Sequence, residues 1–288
     1  MNHKTIQIRG NLVSLRPPLV MGILNVTPDS FYAGSRQQTE AGIHSRITRI
    51  LEEGGQIIDV GGYSSRPSAG EVTEEEEMRR LEPALRILNE HYPEALVSVD
   101  TFRAGIARRA VEMYGAALIN DISGGSLDAA MFAAVAGLKV PYILMHMRGT
   151  PRTMQQFTTY DHLIVDIRKY FAGKVCELEL AGVNDIILDP GFGFSKTREQ
   201  NFELMRGLGE FALFGLPLLV GISRKSMIYE TLGITSGESL NGTSVLHTLA
   251  LLKGADILRV HDVKEAVEAV RLVEQYSKND FLCGCTSA

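Results

Sequence analysis

Residues 96–121 read LVSVDTFRAGIARRAVEMYGAALIND. The opening run, Leu96–Val99, is short, apolar and rich in valine, as expected of a strand buried on both faces of a parallel sheet. Residues 103–114 then follow a helical pattern, and a second apolar run, Ala117–Asn120, comes straight after it. Two such strands joined by a helix form one turn of a parallel α/β fold. Both strands end in polar side chains, Asp100 and Asn120.

Outward from this unit the alternation continues in both directions. Apolar runs stand at Val20–Leu24, Ile57–Val60, Tyr142–His146, Ile186–Asp189, Leu218–Gly221 and Ile257–Val260. Helical patterns occupy roughly 40–53, 74–90, 128–137, 160–181, 198–208, 239–253 and 263–277. Glu74–Glu77 place acidic residues where a helix dipole favours them, and Gly54-Gly55 and Gly182 supply stops. Eight strands, each followed by a helix, predict an α/β fold of the (β/α)8 TIM-barrel type. An open doubly wound sheet would usually carry fewer strands and a G-x-G-x-x-G after the first, which is absent. Ahead of the first strand, TIQIRGNLVSL (5–15) alternates about Gly10-Asn11. It predicts a β-hairpin over the barrel's N-terminal mouth. The expected organisation is one domain over 1–288, with the hairpin in 1–18 and a flexible tail at 279–288.

Composition narrows the class. Of 288 residues 45% are hydrophobic and 22% charged, enough apolar side chain for a large core. The formal charge of −5 lacks the basic footprint of a general nucleic-acid or anionic-membrane binder. The best apolar run, near Phe132–Met145, is broken by Lys139 and Pro141, so no membrane span is expected. The N-terminus has no continuous apolar region of a signal peptide, and a cytoplasmic location is expected. Three cysteines cannot form a closed disulfide framework, and the C-x-C pair Cys283 and Cys285 makes at most half a metal site.

A barrel of this kind builds its active site at the C-terminal ends of its strands. Two chemical sets stand there. Asp100, Asn120, Asp189 and Lys225 combine two carboxylates, an amide and an ammonium. They suit a flat heterocycle with alternating donors and acceptors, since a carboxylate accepts from an exocyclic amine and a neighbouring ring N–H together. The alternative is a set of structural salt bridges. Asn25, Arg66, Arg259 and His261, with Ser65 nearby, form the second set. Forked guanidinium donors match phosphate oxygens. Arg259 ends an apolar strand, where an unpaired charge would be expensive. A diphosphate would call for Mg²⁺, held mainly by water and phosphate with one protein oxygen, which Asn25 can supply. No Walker loop and no nucleophile elbow is present. His146 is either a base or, more in keeping with its apolar strand, a hydrogen-bonded core residue.

These residues sit in motifs that resemble the dihydropteroate synthase family: VMGILNVTPDSF (20–31), DVGGYSSRPSAGE (59–71), SVDTF (98–102), LINDISGG (118–125), LMHMRGTPRTMQ (144–155), LDPGFGF (188–194), GISRKS (221–226) and LRVHDV (258–263). The resemblance implies a transferase that joins 6-hydroxymethyl-7,8-dihydropterin diphosphate to 4-aminobenzoate in folate biosynthesis. It implies Mg²⁺ on Asn25 and pterin on Asp100, Asn120, Asp189 and Lys225. Diphosphate would meet Arg259 and His261, with Ser65 and Arg66 on the second loop. Phe194, Lys225 and Ser223 would line the aminobenzoate pocket, where sulfonamides compete. It further implies a homodimer packed through late helices. The chain departs from the family's G-E-S-T-R-P-G-A with Tyr63, Ser65 and Ser68, and its usual glycine after LDPGFGF is Ser195. A methyltransferase barrel acting on a folate would not need the diphosphate clamp, and an inactive paralogue would be expected to lose it.

Overall fold

The computed structural model describes residues 4–27, 40–63 and 72–278. The expected tail at 279–288, with Cys283 and Cys285, lies outside them. So do most of the first and second βα loops, including Ser65, Arg66 and Ser68.

Eight parallel strands form the barrel among these residues. They are β3 (Leu19–Asn25), β4 (Ile57–Gly61), β5 (Leu96–Asp100), β6 (Leu118–Asp121), β7 (Tyr142–Met145), β8 (Ile186–Asp189), β9 (Leu219–Val220) and β10 (Ile257–Val260). They pair in the order β8-β7-β6-β5-β4-β3-β10-β9. The ring closes where Leu188 bridges Leu218 and its N–H donates to Pro217 O at 2.8 Å. The (β/α)8 reading holds. Helices α1 (Glu40–Glu52), α2 (Glu74–His91), α3 (Ala104–Tyr114), α4 (Met131–Leu138), α5 (Leu163–Ala181) and α6 (Arg198–Gly207) follow the first six strands in turn. After β9 the sequence pattern points to one helix, near 239–253. Two are present, α7 (Ser226–Leu232) and α8 (Leu240–Leu252), before β10 and α9 (Val263–Lys278). The seven-residue α7 buries only Met227 and Ile228, too short a stripe to register as a period, and Gly233 at φ 66° stops it.

The hairpin is present as β1 (Thr5–Ile8) and β2 (Asn11–Ser14), antiparallel with Ile8 opposite Asn11. Its turn is Arg9-Gly10, one residue earlier than expected, with φ 49° and 81°. Two consecutive left-handed residues match the twist of a tight hairpin. The Arg9 guanidinium donates to Pro93 O at 2.8 Å and Gly115 O at 2.9 Å, fastening the hairpin beneath the barrel. Ile6, Ile8 and Leu15 pack there in one cluster with Met21, Ile57, Leu118, Ile143, Ile187, Leu219 and Ile257. Each of the three plug residues is at most 3% exposed, and such burial contributes about 2 kcal/mol per side chain. The barrel interior is thereby sealed at its N-terminal end, which leaves the C-terminal ends of the strands to build a site.

Candidate active site

Side chains alternate along a strand, so the residue two beyond each member of the sealed bottom layer faces the same interior. From Ile57, Leu118, Ile187 and Ile257 this step reaches Asp59, Asn120, Asp189 and Arg259. In register with them lie Ser98 opposite Asp59 and Asp100 opposite Asn120. A polar layer therefore sits directly above an apolar floor. Residues of the other parity face the helices: Asp121 accepts from Tyr142 OH at 2.7 Å and from the N–H groups of Ser123 and Gly125, a structural role.

The two chemical sets meet at Arg259. Its Nε donates to Asp59 Oδ2 at 2.6 Å and its Nη2 to Asp100 Oδ2 at 2.7 Å. Arg259 is thus not the unpaired charge its apolar strand suggested, because two carboxylates from β4 and β5 neutralise it. Burial works against its charge, but Asp59 and Asp100 outweigh that and hold its pKa above the ordinary arginine value. Nη1 has no hydrogen-bond partner among the described residues and is available to an anion. Asn120 Nδ2 donates to the same Asp59 oxygen at 3.2 Å. Asp59 escaped the sequence reading. Its signal was a carboxylate in an otherwise apolar strand, Ile57-Ile58-Asp59-Val60. Asp59 Oδ1 and Ser98 Oγ are buried without partners among the described residues.

Asp189, at the end of β8, accepts from Gly191 N–H at 2.8 Å through Oδ1. Its Oδ2 has no hydrogen-bond partner among the described residues. Burial raises its carboxyl, with Lys225 pulling the other way. Lys225 precedes α7 and donates to Phe192 O, its ammonium 4.7 Å from the centroid of Phe194. Burial lowers Lys225 to about 8, opposed by Asp189. Asp100 is pushed up to about 7 by burial, with Arg259 opposing. Phe194 packs against the apolar cluster of Ile122, Met145, Met147 and Met154 on one side of the mouth.

At the β9 and β10 exits, Ser223 Oγ accepts from His261 N–H at 3.2 Å and lies 3.0 Å from His261 Nδ1. His261 reaches the exposed rim. Desolvation of its ring and then the Arg259 guanidinium hold it below the ordinary histidine value. The neighbouring Arg224 forks onto Asp262, both contacts at 2.8 Å, joining the β9 and β10 exits. His146 lies behind the barrel wall. It is 1% exposed, stacks edge-on to Tyr170 and sits 3.1 Å from the ammonium of Lys196. The core reading of His146 is the one the structure supports. Lys196, 3% exposed, was missed by the sequence reading, since nothing local announces a buried ammonium held by carbonyls.

Asn25 ends β3 opposite Gly61. A side chain at Gly61 would project between Asn25 Oδ1 and the Asp100 carboxylate, 3.3 and 3.8 Å from its Cβ, so glycine keeps this part of the mouth open. Among the described residues no cluster of three or more His, Cys, Asp or Glu can cage a metal. One amide oxygen at a strand end fits Mg²⁺, which keeps most of its waters and phosphate ligands. It would not fit a zinc centre.

Comparison with known proteins agrees with this geometry. Residues 21–261 match the family described as pterin binding enzyme. The dihydropteroate synthase of Escherichia coli K12 is 43% identical over 268 residues, covering 92% of this chain and 94% of that one. A crystal structure of Yersinia pestis dihydropteroate synthase with a sulfonamide drug superposes with a TM-score of 0.90 at 40% identity, covering 96% and 100% of the two chains. The Xanthomonas albilineans dihydropteroate synthase with 4-aminobenzoic acid gives 0.88 at 35% identity, covering 96% and 99%. The chain belongs to the pterin-binding enzyme family, among its dihydropteroate synthases.

Proposed function

We propose that the mouth joins 6-hydroxymethyl-7,8-dihydropterin diphosphate to 4-aminobenzoate by the following use of its residues. Asp189 and Asn120 read the amine and ring N–H edge of the pterin, Asp100 flanks it, and Lys225 donates to its oxygen and nitrogen. Arg259, through Nη1, and His261 receive the diphosphate, with Ser65 and Arg66. Phe194, Ser223 and Lys225 line the arylamine pocket.

The bond between the pterin methylene and the diphosphate oxygen breaks, and its electron pair leaves with diphosphate. The electron-rich dihydropterin spreads the positive charge, which the nearby carboxylates favour. The neutral arylamine nitrogen then bonds to the methylene, and its extra proton passes to water or the departing diphosphate. No strong base is required, consistent with His146 being held behind the wall. Mg²⁺, when bound at Asn25, supplies neutralisation of leaving-group charge. The rest is orientation of two bound partners.

The observation that supports this reading is that Asp59, Asp100 and Asn120 meet a pre-paired Arg259 guanidinium in one polar layer above the sealed floor. Diphosphate release by the purified chain should depend on both substrates. Release at the same rate without 4-aminobenzoate would make it a hydrolase and defeat the proposal.

The same reading takes the enzyme to act in the cytoplasm; no helix among the described residues is long and apolar enough to cross a membrane. It also takes the enzyme as a homodimer. Val245, Leu249 and Leu252 on α8, and Leu272 and Tyr276 on α9, are 43–73% exposed and support an apolar contact face.

A further inference from the structure

The segment Asp189–Lys196 leaves β8 in an unusual conformation. From Gly191 every second residue is left-handed: Gly191 at φ 72°, Gly193 at 80° and Ser195 at 52°. Glycine adopts this region freely, whereas serine is strained there by about 1 kcal/mol or more. Ser195 is also fully buried. A strained, buried polar residue persists when its surroundings hold it, and here they do. Its Oγ accepts from the Arg148 N–H at 2.7 Å and donates to the Arg148 carbonyl at 2.9 Å. One hydroxyl thus captures both polar groups of one backbone residue. The Ser195 carbonyl in turn accepts from Tyr160 OH at 2.9 Å, and the Arg148 guanidinium covers the Tyr160 ring at 3.8 Å from its centroid.

Inside the curl lies the ammonium of Lys196, donating to Gly191 O at 2.9 Å and Phe194 O at 3.0 Å. Phe194 is therefore fixed from two directions: its own carbonyl by Lys196, and the next residue by the loop after β7. That loop also supplies Met147, a member of the cluster against which Phe194 packs. By contrast Asp189 lies within β8, in register with Met145, and needs no such tether.

We propose that Ser195 is a positioning residue for the arylamine: its hydroxyl locks the β7 and β8 exit loops together and thereby sets the place of Phe194. The proposal rests on the reading of Phe194 as a wall of the arylamine pocket. Its mark is selectivity, because Asp100, Asn120 and Asp189 on the pterin side are held by the sheet and Phe194 on the arylamine side by this tether.

The test is steady-state kinetics on Ser195→Ala, Ser195→Gly, Tyr160→Phe and, as a control of the pocket reading, Phe194→Ala. Hydrogen exchange of the Arg148 amide is followed in parallel. Losing two neutral hydrogen bonds, partly transmitted to the ligand, should raise KM for 4-aminobenzoate about fivefold in Ser195→Ala. KM for the pterin diphosphate and kcat at saturating arylamine should stay within about twofold. Ser195→Gly should raise the same constant by no more than this, since it loses the same hydrogen bonds but relieves the left-handed strain. Tyr160→Phe removes only the bond to the Ser195 carbonyl, leaves the Ser195 hydroxyl in place and should show a smaller rise in the same constant; it carries the test if the serine variants do not fold. Faster Arg148 exchange with an unmoved arylamine KM, while Phe194→Ala raises it, overturns the positioning role and spares the pocket. An unmoved arylamine KM in Phe194→Ala overturns the pocket reading and the proposal with it.

Discussion

Asp59 and Arg259, 200 residues apart in the chain, close a 2.6 Å ion pair on the floor of the open mouth. The pair forms because β10 and β4 flank β3 on opposite sides, so their inward side chains converge over it. With Asp100 as its second partner, the guanidinium is oriented before any ligand arrives. A phosphate meeting it does not have to order a free side chain, which lowers the entropy cost of binding. The arrangement makes Asp59, which need not touch a substrate, a determinant of leaving-group binding.

Asp59→Ala should therefore act on two readouts at once. Removing one partner of a buried pair typically costs about 3–5 kcal/mol, moderated here by Asp100. Urea unfolding should show a loss near the lower end of that range. KM for the pterin diphosphate should rise about tenfold through the loosened guanidinium. Loss of stability with an unchanged KM would assign the pair to the fold alone.

Asp189→Ala should behave differently. Its Oδ1 engages a single backbone N–H and its other oxygen has no partner among the described residues, so the fold depends little on it. The loss of a buried charged contact to the ligand costs about 2–5 kcal/mol, well over tenfold in affinity. Calorimetry with a pterin diphosphate analogue, beside a thermal melt, checks both halves. A variant that melts early while its folded fraction binds normally would make Asp189 structural.

Asn25→Ala should raise the Mg²⁺ concentration needed for half-maximal turnover and lower kcat, with an unchanged melting temperature. Asn25 ends a strand whose pairing to Gly61 is made by the backbone, so the amide is dispensable to the sheet. An identical Mg²⁺ titration curve in the variant would remove Asn25 from the metal site.

The pH profile of kcat/KM for the pterin diphosphate should be a narrow bell. Asp100 must be ionised to pair with Arg259 and flank the pterin, and burial raises it to about 7, so the rate climbs through that pH. Lys225 must be protonated to donate, and burial lowers it to about 8, so the rate falls above that pH. Lys225→Arg should displace the alkaline limb upward, because a guanidinium keeps its proton. A limb that stays in place in Lys225→Arg would assign it to another group.

Much of this enzyme is written in local pattern. Apolar runs such as Leu96–Val99 and Ile57–Val60 repeat at intervals that only a strand–helix alternation satisfies, so the barrel was legible from the chain alone. The strand-end residues Asp100, Asn120, Asp189 and Arg259 followed, because side-chain parity and the barrel's open end are consequences of that alternation. Other features depend on residues far apart in sequence. The Arg259–Asp59 pair, the Ser195 hydroxyl on the Arg148 backbone and the Lys196 ammonium against His146 each join segments that meet only when the strands assemble into the sheet. The short α7 was also invisible, since seven residues with two buried side chains leave no period to read. Periodicity tells which way a side chain faces. Which partner it meets is decided by the strand order, and that is a property of the closed barrel.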